Sequence, residues 1–259
     1  MKPTVTGNDS DDLETVAARP KGIFILPSLF TTAGLFAGFY AIVQATKGVY
    51  DNAAIGLFFA MVMDGLDGRI ARLTNTASDF GKEYDSLVDV ICFGLAPALV
   101  VYEWALFNSG KLGWLVAFLY VSATALRLAR FNTQDVADKR YFLGLPCPSA
   151  AALMASMVWL MDVEGAQNDH WRILAILIPV LTALSMVSNL PYRSFKDLDL
   201  KGRIPFIKTF FIVLGVTIIF YDPPRVLFIL SLLYFLSGPL TYLHQRHRQR
   251  CHSLADDDG

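Results

Sequence analysis

Residues 64–89 read DGLDGRIARLTNTASDFGKEYDSLVD. Four of their five aspartates recur at helical spacing beside long apolar segments: Asp64, Asp67, Asp85 and Asp89. A carboxylate inside a membrane-spanning helix costs roughly 2.5 to 3.5 kcal/mol, so a compensating partner is expected. Asp67 and Arg72 follow Asp64 at +3 and +8, on one helical face, and Asp85 and Asp89 share a face of the next helix. Because helices joined by a short turn are antiparallel neighbours, we expect the four carboxylates to meet in one pocket.

The composition is that of a membrane protein. Of the 259 residues, 54% are hydrophobic and only 17% are charged, and the mean hydropathy is +0.44, too apolar for a soluble domain. The net charge of −1 provides no basic field for nucleic acid, so we expect no nucleic-acid partner. The three cysteines are an odd number and widely spaced, which argues against a disulfide framework.

The apolar segments predict an all-α integral membrane protein, a polytopic bundle of about eight transmembrane helices. A span needs about 20 mostly apolar residues. The segments that approach this length are 26–46, 53–75, 86–107, 112–131, 147–161, 172–190, 205–221 and 224–243. The fifth is short and the second is charged, so six or seven spans remain alternatives. An even number would place both termini on the same side of the membrane.

The distribution of positive charge predicts that both termini are cytoplasmic. Lysine and arginine concentrate in cytoplasmic loops, and with eight spans this orientation places 18 of the 22 inside. The four outside are Lys47, Lys111, Arg172 and Arg225. We therefore divide the chain into a flexible cytosolic N-terminal tail at 1–22, a membrane-embedded domain at 23–243 and a cytosolic C-terminal tail at 244–259.

Clustered aspartates predict a site for divalent metal. Four carboxylates would repel one another and retain protons unless cations neutralised them. Oxygen ligands suit Mg²⁺ or Mn²⁺, four carboxylates match two ions, and the lack of histidine and cysteine in the motif argues against zinc. The alternative is a buried seam of ion pairs with Arg69, Arg72 and Lys82. That alternative leaves Gly68 and Gly81 unexplained, since glycine costs about 1 kcal/mol within a helix.

The aspartates belong to a longer pattern that resembles the CDP-alcohol phosphotransferase signature. It matches at eight positions: Asp64, Asp67, Gly68, Ala71, Arg72, Gly81, Asp85 and Asp89. The resemblance implies a six-helix core, here with two further helices, and two divalent ions held by the first three aspartates of the signature. Asp89 would be the general base and would contact one metal. Attack on the phosphorus bonded to the lipid oxygen would release CMP.

The same resemblance assigns residues to the donor, CDP-diacylglycerol, and predicts a homodimer. Gly68, Ala71 and Gly81 would leave room for cytidine and ribose, Arg72 would steady the motif or the diphosphate, and Thr31 would contact the cytidine. Many relatives carry asparagine where Ser28 stands. This departure puts a hydrogen bond from the first helix in question.

Four further stretches are similar to the bacterial and archaeal phosphatidylserine synthase branch. They read LPSLFTT at 26–32, RLARFN at 127–132, GLPCPSA at 144–150 and YRSFK at 192–196. L-serine would then be the acceptor, and its carboxylate needs a cation. We expect that cation among four basic residues, Arg130 first: Arg127, Arg130, Arg193 and Lys196.

Alternative functions remain at this point. A phosphatidylglycerophosphate synthase or an inositol-phosphate lipid synthase would share the signature, but its phosphorylated acceptor calls for a tighter cluster of cations. An ion-coupled membrane transporter could also place aspartates in the membrane. Against it, Glu103 is the lone acidic residue in the other apolar segments. A structural protein with a degenerate signature would have lost an aspartate.

We expect a multi-pass enzyme of a prokaryotic inner membrane, in contact with membrane lipid, whose site faces the cytoplasm.

Overall fold

A computed structural model describes residues 25–74, 78–133, 141–165, 169–193 and 206–256. Within these ranges the fold is predominantly helical, as predicted. The helices are α1 (Ile25–Thr46), α2 (Tyr50–Thr74), α3 (Asp79–Asp89), α4 (Ala96–Val101), α5 (Lys111–Thr133), α6 (Cys147–Val163), α7 (Asp169–Val187), α8 (Phe206–Tyr221) and α9 (Pro223–Asp256). Two short strands, β1 (Tyr141–Leu143) and β2 (Pro191–Arg193), complete the fold.

Small residues allow α1 and α2 to approach closely. The two helices bury alanines: Ala37, Ala41, Ala45, Ala53, Ala54 and Ala60. A Cβ atom added to Gly56 would lie 3.1 Å from the carbonyl oxygen of Ala37, so a larger residue would push the helices apart. Close helix packing through small residues is typical of membrane proteins. The approach brings Thr31 of α1 next to Asp67 of α2.

A single helical run extends from Asp79 to Ser109. It contains α3 and α4, each followed by a π-helical turn, at Val90–Leu95 and Tyr102–Leu106. The run begins before the predicted residue 86 because Ser78 caps α3, its side chain accepting a hydrogen bond from the Gly81 N–H at 3.0 Å. The first π turn starts directly after Asp89.

The connection between α5 and α6 meets the segment after α7 in a small antiparallel sheet, which the sequence analysis did not predict. The central pair of β1 and β2 is Phe142 with Tyr192. Gly144 follows β1 with a φ of +81°, and a Cβ atom there would collide with the carbonyl oxygen of Met186. Glycine adopts this conformation without steric cost.

The apolar helices are those of a membrane protein. Among the described residues, four helical stretches are long and apolar enough to cross a membrane: 27–46, 79–109, 111–133 and 223–242. Cys147–Val163 and Trp171–Val187 are shorter apolar helices. Large apolar side chains such as Phe36 and Phe118 are exposed on the helix surfaces, as expected where lipid is the solvent. The count of eight spans stays a prediction, since α2 carries charges in its second half.

The structure describes the chain around one predicted tail boundary but not around the other. The N-terminal tail at 1–22 lies outside the described residues. At the other end the helix α9 continues to Asp256, past the predicted boundary at 244. The division into tails and membrane domain stays a prediction.

Candidate metal centre and substrate pocket

Three carboxylates converge between α2 and α3. One oxygen atom from each of Asp64, Asp67 and Asp85 lies within 4.8 Å of the corresponding atoms of the other two. Asp64 and Asp67 are spaced so that both side chains face α3, and Asp67 is only 4% exposed. Opposite ligands of a Mg²⁺ ion lie about 4.2 Å apart, given metal–oxygen distances of about 2.1 Å. This all-oxygen group therefore fits a divalent cation of that kind.

Asp89 lies beside this group and contacts it. Its side chain interacts electrostatically with that of Asp64. Asp89 lines the same narrow cleft as the three other aspartates, together with Cys92 and Phe93. The structure thus brings all four predicted aspartates together, three as a compact oxygen cluster and Asp89 as their neighbour.

Thr31 orients one of the carboxylates. Its hydroxyl group donates a hydrogen bond to Oδ2 of Asp67 at 2.8 Å, and the threonine is 6% exposed. The sequence predicts a role for Thr31 with the donor but does not predict this bond, because the two residues are 36 positions apart. Only the packing of α1 against α2 reveals it.

A pocket of about 200 Å³ opens beside the carboxylates. All five residues predicted to bind the donor line it: Thr31, Gly68, Ala71, Arg72 and Gly81. A Cβ atom added to Gly68 meets no protein atom within 4 Å, so this glycine leaves free space on the pocket wall. Nε of Arg72 donates to the carbonyl oxygen of Gly68 at 2.8 Å, which holds the arginine along its own helix.

Three further polar residues of the pocket had no predicted role as ligands of the donor. Ser28, which stands where many relatives have asparagine, lines the pocket from α1. Ser78 and Lys82 line it from the start of α3. The sequence shows that Ser78 can cap a helix and that Lys82 is charged. Whether their side chains face the pocket depends on where α3 begins.

The basic residues predicted to bind serine differ in their surroundings. Nη1 of Arg127 donates to Sγ of Cys147 at 3.4 Å, and its Nε is buried without a hydrogen-bond partner among the described residues. Nη2 of Arg130 donates to Oδ1 of Asn189 at 2.8 Å. The side chain of Arg193 and all of Lys196 lie outside the described part of the chain. The structure therefore locates two of the four candidates.

Comparisons with known proteins match this chain to one family. The model of the CDP-alcohol phosphatidyltransferase family matches residues 24–188, which include the four aspartates and both walls of the pocket. The matched range covers the helical segments from α1 to α7, and α8 and α9 lie beyond it.

Curated relatives are similar over most of the chain. The CDP-diacylglycerol–serine O-phosphatidyltransferase of Helicobacter pylori is 36% identical over 85% of this chain and 92% of its own length. The protein of that name from Methanocaldococcus jannaschii is 35% identical over 78% of this chain and 90% of its own. The archaetidylserine synthase of Methanothermobacter thermautotrophicus is 34% identical over 64% and 69%, respectively.

Proposed function

The chain belongs to the CDP-alcohol phosphatidyltransferase family, and we propose that it transfers the phosphatidyl group of CDP-diacylglycerol to the hydroxyl group of L-serine, releasing CMP. The observation that carries this proposal is the carboxylate cluster, whose oxygen atoms lie within 4.8 Å of one another beside an open pocket. Serine as the acceptor is supported by the relatives. They are similar over most of this chain, and their names specify serine.

The site would hold two divalent cations, Mg²⁺ or Mn²⁺. Asp64, Asp67 and Asp85 would be the principal ligands, and Asp89 would contact one ion. When bound, such cations offset the carboxylate charge and stabilise the negative charge that develops on a transferred phosphoryl group. The pocket lined by Gly68 and Arg72 would hold the nucleotide part of the donor next to them.

Asp89 would act as the general base. It would accept the proton of the serine hydroxyl group as the serine oxygen attacks the phosphorus atom bonded to the lipid oxygen. The bond between that phosphorus and the CMP oxygen breaks, and CMP leaves with the electron pair. The position of Asp89 beside the three-carboxylate cluster supports this role, because a base must reach the acceptor while its neighbours hold the donor.

Arg127 is the basic residue that we propose for the serine carboxylate. Its Nη1 donates to Sγ of Cys147, a thiol that also interacts electrostatically with Asp89, and this supports a position of the arginine near the base. Its Nε is a buried donor with no partner among the described residues, and buried donors without a partner are costly. A carboxylate ligand would satisfy that donor. Arg130, preferred from the sequence, already donates to Asn189.

CMP release tests this proposal. Detergent-purified protein receives CDP-diacylglycerol and Mn²⁺ with either serine or glycerol 3-phosphate. We expect serine-dependent release, which Asp89→Asn abolishes and Asp79→Asn preserves, since Asp79 is exposed on the same helix and pairs with Lys82. Release with glycerol 3-phosphate alone would make the protein a phosphatidylglycerophosphate synthase. No release with any alcohol would favour the ion-coupled transporter.

The same assay separates the two arginines. Arg127→Gln should raise the KM for serine at least about tenfold, because a charge-assisted pair to the carboxylate is lost. Its KM for CDP-diacylglycerol should stay that of the unaltered protein. Arg130→Gln is the matched variant one helical turn further along α5. A larger effect on the serine KM from Arg130→Gln would reverse the assignment.

The setting we propose is a prokaryotic inner membrane, with the pocket facing the cytoplasm and two copies forming a homodimer. The concentration of lysine and arginine in alternate connections supports the orientation. The cytoplasmic side would supply serine directly to the pocket.

A further inference from the structure

A buried tyrosine reaches the helical turn that follows Asp89. Tyr120 of α5 has no exposed surface, and its hydroxyl group donates a hydrogen bond to the carbonyl oxygen of Phe93 at 3.0 Å. In an α-helix the N–H four positions further along would donate to that oxygen, but here the residue is Pro97, which has no N–H. The tyrosine hydroxyl thus donates to a carbonyl oxygen that cannot receive an α-helical hydrogen bond from position 97.

The turn that Tyr120 holds is part of the candidate site. It is the π turn Val90–Leu95, which begins at the residue after Asp89. Phe93 and Cys92 line the cleft that contains the aspartates. On the opposite side, Sγ of Cys92 donates to the carbonyl oxygen of Gly34 in α1 at 3.3 Å. The π turn is therefore fixed by hydrogen bonds from two directions.

The packing of α5 against this turn is tight. A Cβ atom added to Gly94 would lie 3.2 Å from Cγ2 of Thr124, which is itself fully buried one helical turn after Tyr120. A π turn contains one residue more than an α-helical turn, and each residue rotates a helix by about 100°. Loss of the π turn would therefore rotate Asp89 relative to the helix that follows the turn.

We propose that Tyr120 is a positioning residue for the reaction: its hydroxyl group fixes the π turn and thereby the direction of the Asp89 side chain. The proposal rests on the function proposed above, in which Asp89 is the base. Tyr120 itself lines neither the pocket nor the cleft that contains the aspartates. It acts through the backbone of Phe93.

The protein contains a matched control at the other end of the same helical run. The hydroxyl group of Tyr50 donates to the carbonyl oxygen of Glu103 at 3.1 Å, within the second π turn, Tyr102–Leu106. The chemistry is the same, but Glu103 lies about 20 Å along the helix from Asp89. Tyr50→Phe thus removes an equivalent bond away from the aspartates.

The experiment compares Tyr120→Phe with Tyr50→Phe in the full-length, detergent-purified protein. For Tyr120→Phe we expect kcat to fall about tenfold, because a small displacement of a catalytic group slows the chemical step. The KM for CDP-diacylglycerol and the half-saturating Mn²⁺ concentration should not change. Tyr50→Phe should keep the kcat of the unaltered protein. Equal kcat values for the two variants, or a change in KM alone, would overturn the proposal.

A double variant tests whether the effect passes through the carbonyl oxygen of Phe93. Pro97→Ala restores an N–H that can donate to this oxygen, so Tyr120→Phe should lower kcat less in a Pro97→Ala background than in the unaltered protein. The same fractional loss in both backgrounds would contradict the proposed route.

Hydrogen exchange separates this inference from the proposed function. Tyr120→Phe should increase amide exchange at residues 90–98, and Tyr50→Phe should increase it near residues 102–107, with no substrate present. Unchanged exchange at 90–98 would overturn the proposal whatever the reaction. If the unaltered protein releases CMP with an alcohol other than serine, the proposed acceptor is wrong, and kcat is compared with that alcohol.

Discussion

At Gly68 the lack of a side chain leaves space for a ligand. A Cβ atom there meets no protein atom within 4 Å but points into the pocket beside the carboxylates. Gly68→Ala should therefore raise the KM for CDP-diacylglycerol several-fold without lowering the melting temperature. Gly65→Ala is the control, since Gly65 lies on the same helix, is equally open and does not line the pocket. Equal KM values for the two variants, measured by CMP release, would contradict this prediction.

Thr31 illustrates how a hydroxyl group can tune a carboxylate. Its bond of 2.8 Å to Asp67 restricts the directions in which that carboxylate can offer its oxygen atoms. Thr31→Val, which keeps the shape and removes the hydroxyl group, should raise the half-saturating Mn²⁺ concentration about 10-fold, as is usual when a metal ligand loses its hydrogen-bond partner. The protection that Mn²⁺ gives against thermal unfolding should fall in parallel.

Two other threonine variants make this test specific. Thr31→Ser keeps the hydroxyl group and should retain most of the Mn²⁺ affinity. Thr46→Val removes a hydroxyl group that donates to the carbonyl oxygen of Val43 in the same helix and should leave the affinity unchanged. If Thr31→Val binds Mn²⁺ like the unaltered protein, Thr31 serves only the donor, as the sequence first suggested.

At the scale of elements, Gly238 allows α9 to pack closely against the β1–β2 sheet. A Cβ atom on Gly238 would collide with the ring of Tyr192, which is fully buried in β2. Gly238→Ala should therefore destabilise the protein by about 1 to 3 kcal/mol, the usual cost of overpacking a buried site. Gly215→Ala in α8 is the control, because a Cβ atom there meets nothing within 4 Å. Thermal unfolding in detergent measures both, and equal stability would contradict the predicted clash.

The helices were predictable because the bilayer demands long apolar segments, and each predicted segment overlaps a described helix. The π turns and the sheet were not. The π turn after Asp89 leaves no periodic signal, although Pro97 marks the carbonyl that needs another donor. β1 and β2 have three residues each, too few for an alternating pattern.

The aspartates of the candidate site were predictable because helical spacing places them on facing sides of two consecutive helices. Contacts between distant positions were not. The bond from Tyr120 to Phe93 spans 27 residues, and the bond from Thr31 to Asp67 spans 36. Neither follows from spacing, because each depends on which face one helix presents to another. The residues that orient the site therefore emerged only from packing.

At the scale of the whole molecule, polar contacts identify the two ends of the helix bundle. At one end Tyr50 contacts the backbone of Glu103, and Arg225 pairs with Glu164. At the other end, near the aspartates, Nδ2 of Asn132 donates to Oγ of Ser86 at 2.9 Å. Neighbouring helices thus alternate in direction, and the candidate site lies towards one end of the bundle.

This alternation makes the orientation testable with three exposed lysines. Lys47 and Lys111 lie at the end away from the aspartates, and Lys82 lines the candidate pocket. With the basic connections inside, a membrane-impermeant maleimide should label Lys47→Cys and Lys111→Cys in intact cells. Lys82→Cys should react only after permeabilisation.

Cys251→Ser serves as the background, since Cys92 and Cys147 are buried. Labelling of Lys82→Cys alone in intact cells would place the pocket outside, and opposite results for Lys47→Cys and Lys111→Cys would break the predicted alternation of spans.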